Sequence, residues 1–183
     1  AKGDISDIDN IPSQENHAWN AVKINKKWYL VDATWGAGYT NGNRWKAEFD
    51  DFYFFTNPDE FALTHYPSEK EWLLTENKLT IKQFYSKPIY KKSFFLNRLK
   101  LISPKSGTIE VSTNDDITFL MGKIPENIHL YYVYRGDKYS KKIDIDCNNT
   151  QCNFTIPFAK SRDSELYIFA NKRPILEFSV SKK

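Results

Sequence analysis

The stretch Asn16-His-Ala-Trp-Asn-Ala-Val-Lys-Ile-Asn-Lys-Lys-Trp-Tyr-Leu-Val-Asp-Ala-Thr-Trp-Gly-Ala-Gly38 decides how this chain is read. Two strand-like runs, His17–Ile24 and Lys27–Trp35, flank the dipeptide Asn25-Lys26, a pattern that predicts a tight two-residue hairpin. Lys26 is its weak point, because a type I′ turn needs positive φ there and Gly is the usual residue. With Ile24 opposite Lys27, Ala21 faces Leu30, Trp19 faces Asp32 and His17 faces Thr34. Opposed residues share a face of the ladder, as do alternate residues along a strand. His17, Trp19, Asp32 and Thr34 are therefore expected on one face, with His17 and Asp32 as diagonal neighbours. A register slip of one residue would send Asp32 to the other face. A carboxylate bonded to one imidazole nitrogen fixes the tautomer and leaves the other nitrogen as a general base. The pattern shows no nucleophile for that base to serve. The alternative is a surface His and Asp on the polar face of a half-buried hairpin.

Outward from this hairpin, residues 1–16 read as a polar entry arm and residues 36–51 as a glycine-bearing loop. Phe52–Thr56 reads as a short strand. Asn57-Pro58-Asp59-Glu60 opens a helical turn through Thr64, with proline and acids where a first turn favours them. From Phe94 onward the pattern changes to short strands with turn residues between them: 94–102, 108–112, 117–121, 128–134, 139–146, 153–158, 165–170 and 175–180. Their spacing predicts a β-sandwich of immunoglobulin-like architecture. The expected domains are residues 1–90 and 91–183, in a mostly β chain of α+β type.

The hairpin and the segments after it resemble the transglutaminase-like superfamily of papain-type thiol enzymes, on its kyphoscoliosis-peptidase branch. The downstream stretches that carry the resemblance are Phe54-Phe-Thr-Asn-Pro-Asp-Glu-Phe61 and His65-Tyr-Pro-Ser-Glu-Lys-Glu-Trp-Leu-Leu74. The resemblance covers residues 1–104 and implies a Cys–His–Asp triad on the C-terminal β-sheet half of a transglutaminase-like core. It makes His17 the base and Asp32 its orienting partner, with Trp19 and Trp35 as substrate-binding residues. The family's nucleophilic Cys stands upstream of the segment that begins at Ala1-Lys2-Gly3. The expectation is a Cys on an upstream segment or companion chain, completing a peptidase or a protein cross-linking acyl transferase. The alternative is a pseudoenzyme that serves as a protein-binding or structural adaptor.

Composition bounds these readings. The 183 residues carry 26 basic and 23 acidic side chains, a net charge of +3, which gives no electrostatic argument for a nucleic-acid partner. Aromatic residues make up 16% of the chain, a bias that favours strands. The sequence contains no apolar run long enough to span a membrane as a helix. The resemblance implies a protein substrate or a protein partner. No cofactor is implied, since no glycine-rich phosphate loop occurs. Three scattered histidines with no paired-carboxylate motif argue against a metal site. His65 reads as a cap on carbonyls at a helix end and His129 as a structural residue.

The two cysteines, Cys147 and Cys152, flank four residues between strand-like runs. Opposed hairpin positions suit a disulfide, so the pair is expected to be oxidised. Overlapping sequons make Asn148 and Asn153 glycosylation candidates. Together these lean the compartment towards secreted, with a cytoplasmic, cytoskeleton-associated protein as the alternative.

Overall fold

The computed structural model describes residues 1–76, 78–112 and 114–183. The fold is mostly β and divides into two compact units. The first comprises Ala1 and residues 12–84, the second residues 2–11 and 85–183. The entry arm thus groups with the C-terminal unit, and not with the hairpin as its position in the chain implies.

In the first unit, β1 (Asn20–Ile24) and β2 (Lys27–Val31) pair antiparallel in the expected register, Ile24 against Lys27 and Ala21 against Leu30. Asn25 and Lys26 both have positive φ, 49° and 67°, the signature of a type I′ turn. Lys26 therefore tolerates the conformation for which Gly is the usual choice. The ladder is shorter than expected. It stops at Asn20 and Val31, because Asp32 leaves the strand to cap α1 (Ala33–Gly36). Residues 36–51 are not a simple loop. They hold a second hairpin, β3 (Gly38–Asn41) with β4 (Arg44–Ala47), turned at Gly42 with φ 60°. At Gly38 a Cβ would lie 2.1 Å from the Lys46 carbonyl oxygen, so only glycine fits there.

A 3₁₀ turn, Asp51–Tyr53, leads into β5 (Phe54–Thr56), which pairs with β2. Next comes α2 (Pro58–Phe61), its first turn capped by the Asn57 side chain. Two more carbonyl bonds carry the turn to His65, whose amide donates to the Phe61 oxygen. A 3₁₀ turn at Lys70–Leu73 and α3 (Ile81–Tyr85) end this half of the chain.

The second unit opens with β6 (Ile89–Tyr90) and α4 (Lys92–Leu96), and the latter corrects the strand expected from Phe94. Short apolar runs do not distinguish a buried helical turn from a strand by periodicity. Here Phe94 and Phe95 are both buried, and the turn closes where Arg98 takes φ 53°. Among the described residues nine strands follow: β7 (Leu101–Ser103), β8 (Thr108–Val111), β9 (Asp116–Gly122), β10 (Leu130–Tyr134), β11 (Lys141–Lys142), β12 (Asp146–Cys147), β13 (Gln151–Pro157), β14 (Ser164–Ala170) and β15 (Arg173–Lys182). The continuous strand expected over 139–146 is broken into β11 and β12, each in a different sheet. One sheet runs β11-β10-β14-β15-β6, with β8 also paired to β15; the other runs β12-β13-β9-β7. Alternate residues point inward, such as Ile117, Phe119 and Met121 on β9 and Leu166 and Ile168 on β14. Phe119 of one sheet meets Phe178 of the other edge-on at 5.4 Å. Cys147 and Cys152 are directly opposed on β12 and β13 and form a disulfide. His129 is exposed just before β10.

One buried cation in this unit sets a pH dependence. Lys2 is 1% exposed, and its Nζ donates to the Lys87 carbonyl oxygen at 2.6 Å. Desolvation, reinforced by the Lys87 charge and opposed by Asp7 and Asp9, lowers its pKa to about 7. Between about pH 7 and the usual lysine value near 10.5, the unfolded chain binds a proton that the folded chain does not. Stability therefore rises with pH across that window, by on the order of a few kcal/mol. Urea unfolding followed by far-ultraviolet circular dichroism should show this rise in the native chain and a flatter profile in Lys2→Met. Identical profiles would remove Lys2 as the cause.

Candidate active site

Asp32 is the centre of the site. It is 1% exposed, at the point where β2 gives way to α1. Its Oδ1 accepts the backbone amides of Thr34 at 3.0 Å and Trp35 at 2.9 Å, the bonds of a helix N-cap. That leaves Oδ2 for side chains. His17 Nε2 lies 2.6 Å from Oδ2, and His65 Nε2 lies 3.0 Å from the same oxygen. Burial pushes the Asp32 carboxyl up. The bonds from His65, the Trp35 amide and His17 outweigh burial and bring it down to about 2. An ionised carboxylate needs donors, so His17 presents its Nε2–H to Asp32. In that tautomer Nδ1 is the ring nitrogen left without a proton.

His17 and Asp32 thus meet as the sequence implies, but by a different geometry. Neither belongs to the ladder: His17 precedes β1 and Asp32 follows β2. Thr34, expected on the same face, instead lies in α1 and contributes only its amide to Asp32.

His65 is not the carbonyl cap that its place at a helix end suggests. Its side chain is fully buried and bonds Asp32 on one edge and Thr64 Oγ1 at 2.7 Å on the other. Desolvation lowers its pKa, more than the Asp32 bond raises it, so His65 is neutral. Phe61 stacks on the ring at 3.9 Å and 14°. No local periodicity marks His65. The one available signal is its place at the head of the second stretch that carries the family resemblance.

Trp35 packs against both imidazoles, 5.2 Å from His17 and 4.6 Å from His65, and meets Tyr53 edge-on. Trp19 contacts His17 at 6.3 Å and His65 at 5.2 Å. It also walls a groove of about 620 Å³ whose lining includes Glu15, His17, Trp28, Leu30 and Trp72. Trp35 is half-buried and not among that groove's lining residues, so Trp19 borders the groove while Trp35 touches both imidazoles outside it. His17, at 12% side-chain exposure, is the member of the site that opens to the groove.

No protein-family model matches the chain. The chain is similar to kyphoscoliosis peptidase. It is 33% identical to the mouse protein (Mus musculus) over 96 residues, which are 51% of this chain and 14% of that relative. Hillarin of Drosophila melanogaster is 30% identical over 115 residues, 56% of this chain and 14% of hillarin. A LIM and transglutaminase domain protein of Caenorhabditis elegans is 33% identical over 101 residues, 49% of this chain and 14% of the relative. The chain thus spans about one-seventh of the length of the curated relatives it matches. These similarities support a transglutaminase-like branch.

The other candidate residues lie in the second unit. Asn148 and Asn153 are exposed. Asn148 Oδ1 caps its own turn by accepting the Thr150 and Gln151 amides. Among the described residues no helix is long and apolar enough to cross a membrane. The three histidines are scattered in sequence, a pattern that argues against a metal site, yet in the fold His17, Asp32 and His65 place ligand atoms within 4.8 Å of one another.

Proposed function

We propose that residues 1–90 supply the base half of a thiol-dependent acyl-transfer site acting on protein amides. The observation that carries this reading is the contact of His17 with a buried, ionised Asp32 that a second imidazole also holds, beside an aromatic groove. In this reading His17 Nδ1 takes the proton of a Cys thiol. The thiolate attacks the amide carbonyl, and the imidazolium returns the proton to the leaving amine. The acyl group then passes to water, as in a peptidase, or to a second amine, as in a cross-linking enzyme. The relatives' names, one a peptidase and one a transglutaminase domain protein, support both outcomes.

The chain's own two cysteines are joined to each other, so the nucleophile comes from an upstream segment or a companion chain. Asp32 and His65 are positioning residues, and Trp19 forms a wall for substrate. Residues 91–183, in two contacting sheets, form an immunoglobulin-like module that holds a protein partner. A second reading, a non-catalytic adaptor, is favoured by the exposed aromatics of the first unit, Phe49 at 75% and Trp45 at 56%. The disulfide fits a secreted protein, with Asn148 and Asn153 as glycosylation sites. The relatives' names lend that compartment no support, and a cytoplasmic protein is the alternative.

Protein purified from its native host is expected to cleave casein or attach a small primary amine to it, and to lose this activity to thiol reagents. Trp19→Ala should raise KM about tenfold or more with kcat little changed, as loss of one anchoring aromatic contact worth ~1.4 kcal/mol or more would. Native material with neither activity supports the adaptor.

A further inference from the structure

We propose that His17 Nε2, His65 Nε2 and the Asp32 carboxylate form a binding site for a divalent transition-metal ion of the zinc class. Two imidazoles and one carboxylate are a ligand set that suits zinc, and three protein ligands leave a coordination position open. The ligand atoms already converge within 4.8 Å of one another, with Oδ2 at 2.6 and 3.0 Å from the two nitrogens. Zinc bonds of about 2.0–2.2 Å place tetrahedral ligand atoms about 3.3 Å apart, so Oδ2 draws back from the two nitrogens by about half an ångström while the nitrogens, which lie within 4.8 Å of each other, close together to admit the ion.

The surroundings match what a metal site needs beyond its ligands. A ligating His donates its other ring N–H to a fixed acceptor. For His65 that acceptor is Thr64 Oγ1, which in turn lies 3.2 Å from the Phe61 carbonyl oxygen. In the metal-free site, Thr64 donates to Nδ1 while Nε2–H faces Asp32. With metal bound, the ring carries its proton on Nδ1 and donates to Thr64, whose hydroxyl turns to the Phe61 oxygen. Every polar atom stays satisfied in either state. The carboxylate is held by two backbone amides through Oδ1, which leaves Oδ2 free to ligate. Aromatic rings of Trp19, Trp35 and Phe61 surround the imidazoles, and the partly exposed edge of His17 gives an entry path from the groove. A metal on His17 Nε2 replaces the hydrogen bond that orients this base. Metal loading and the base function of His17 therefore exclude each other. The site itself does not depend on the thiol reading, because it needs no nucleophile.

The test uses the untagged 183-residue chain, stripped with chelator and titrated with zinc by calorimetry and with cobalt by visible absorption. The expected result is one ion per chain with a d–d band of low-symmetry cobalt. Binding is lost in His17→Asn, falls about 10-fold in Thr64→Val, and is unchanged in His129→Asn. Histidine ring resonances provide a second reading without substitution: zinc should move those of His17 and His65 and leave His129 in place. No saturable uptake, uptake removed by His129→Asn, or shifts confined to His129 would overturn the site. Loss of thiol-dependent activity in the native protein would leave these metal results unaffected, so the two readings fail separately.

Discussion

Replacing Asp32 with Ala is expected to destabilise the first unit by about 3–5 kcal/mol, the scale of breaking a buried charged network by removing one partner. The substitution strips the acceptor from His17, His65 and the amides of Thr34 and Trp35 in one step. Of these, His65 is the costly one. It is fully buried, so water does not replace the lost partner. Asp32→Asn keeps the helix cap, since Asn is as good an N-cap as Asp, and should cost only about 1–2 kcal/mol. All five tryptophans, at 19, 28, 35, 45 and 72, lie in residues 12–84, so their fluorescence reports this unit alone. Urea unfolding followed by tryptophan emission should therefore show a midpoint lowered by more than about 1 M in Asp32→Ala, and by much less in Asp32→Asn. Equal losses in both would mean that the carboxylate's bonds to the two imidazoles, and not the cap that Asn keeps, are what Asp32 supplies.

The second large effect concerns rate. In protein that carries the nucleophilic Cys, His17→Asn is expected to lower kcat by about 10²–10⁴-fold, the usual contribution of a positioned acid–base group. KM should change little, because Trp19 and the groove remain. The same substitution should leave stability almost intact, since His17 lies outside the β1–β2 ladder and is partly exposed. A proportionate loss of stability and activity would instead make His17 a structural residue.

The register of the hairpin was legible because the apolar alternation and the Asn25-Lys26 turn agree with each other. The turn recurs at Asn171-Lys172, again with both φ values positive, between β14 and β15. The pairing of Cys147 with Cys152 was legible for a similar reason: loop length and flanking strands suit a disulfide, the alternative being two reduced thiols, and the structure forms the bond. What escaped is decided by tertiary contacts. The strand continuing through Asp32 has the right pattern, but two backbone amides compete for its carboxylate and win, and the chain turns into α1. His65 stands 33 positions from Asp32, and only the packing of α2 behind β2 brings it to the carboxylate. The β3–β4 hairpin escaped because three glycines between 36 and 42 read as loop, although Gly42-Asn43 is itself a hairpin turn signal. Phe94–Leu96 escaped because an apolar run of that length fits a helical turn as well as a strand.

The central claim is that His17, held by Asp32, serves a thiol that lies outside residues 1–183. The most direct measurement is the rate at which cysteines of protein from the native host react with iodoacetamide between about pH 5 and 9, with the labelled residue located by mass spectrometry. Cys147 and Cys152 are oxidised and do not compete. The account predicts one cysteine, on an upstream segment or companion chain, that is alkylated rapidly at about pH 6, where a free thiol near pKa 8.5 is almost unreactive. Its advantage should vanish in His17→Asn. Native protein with no such cysteine, or one whose reactivity follows a free thiol and ignores His17, would contradict the account.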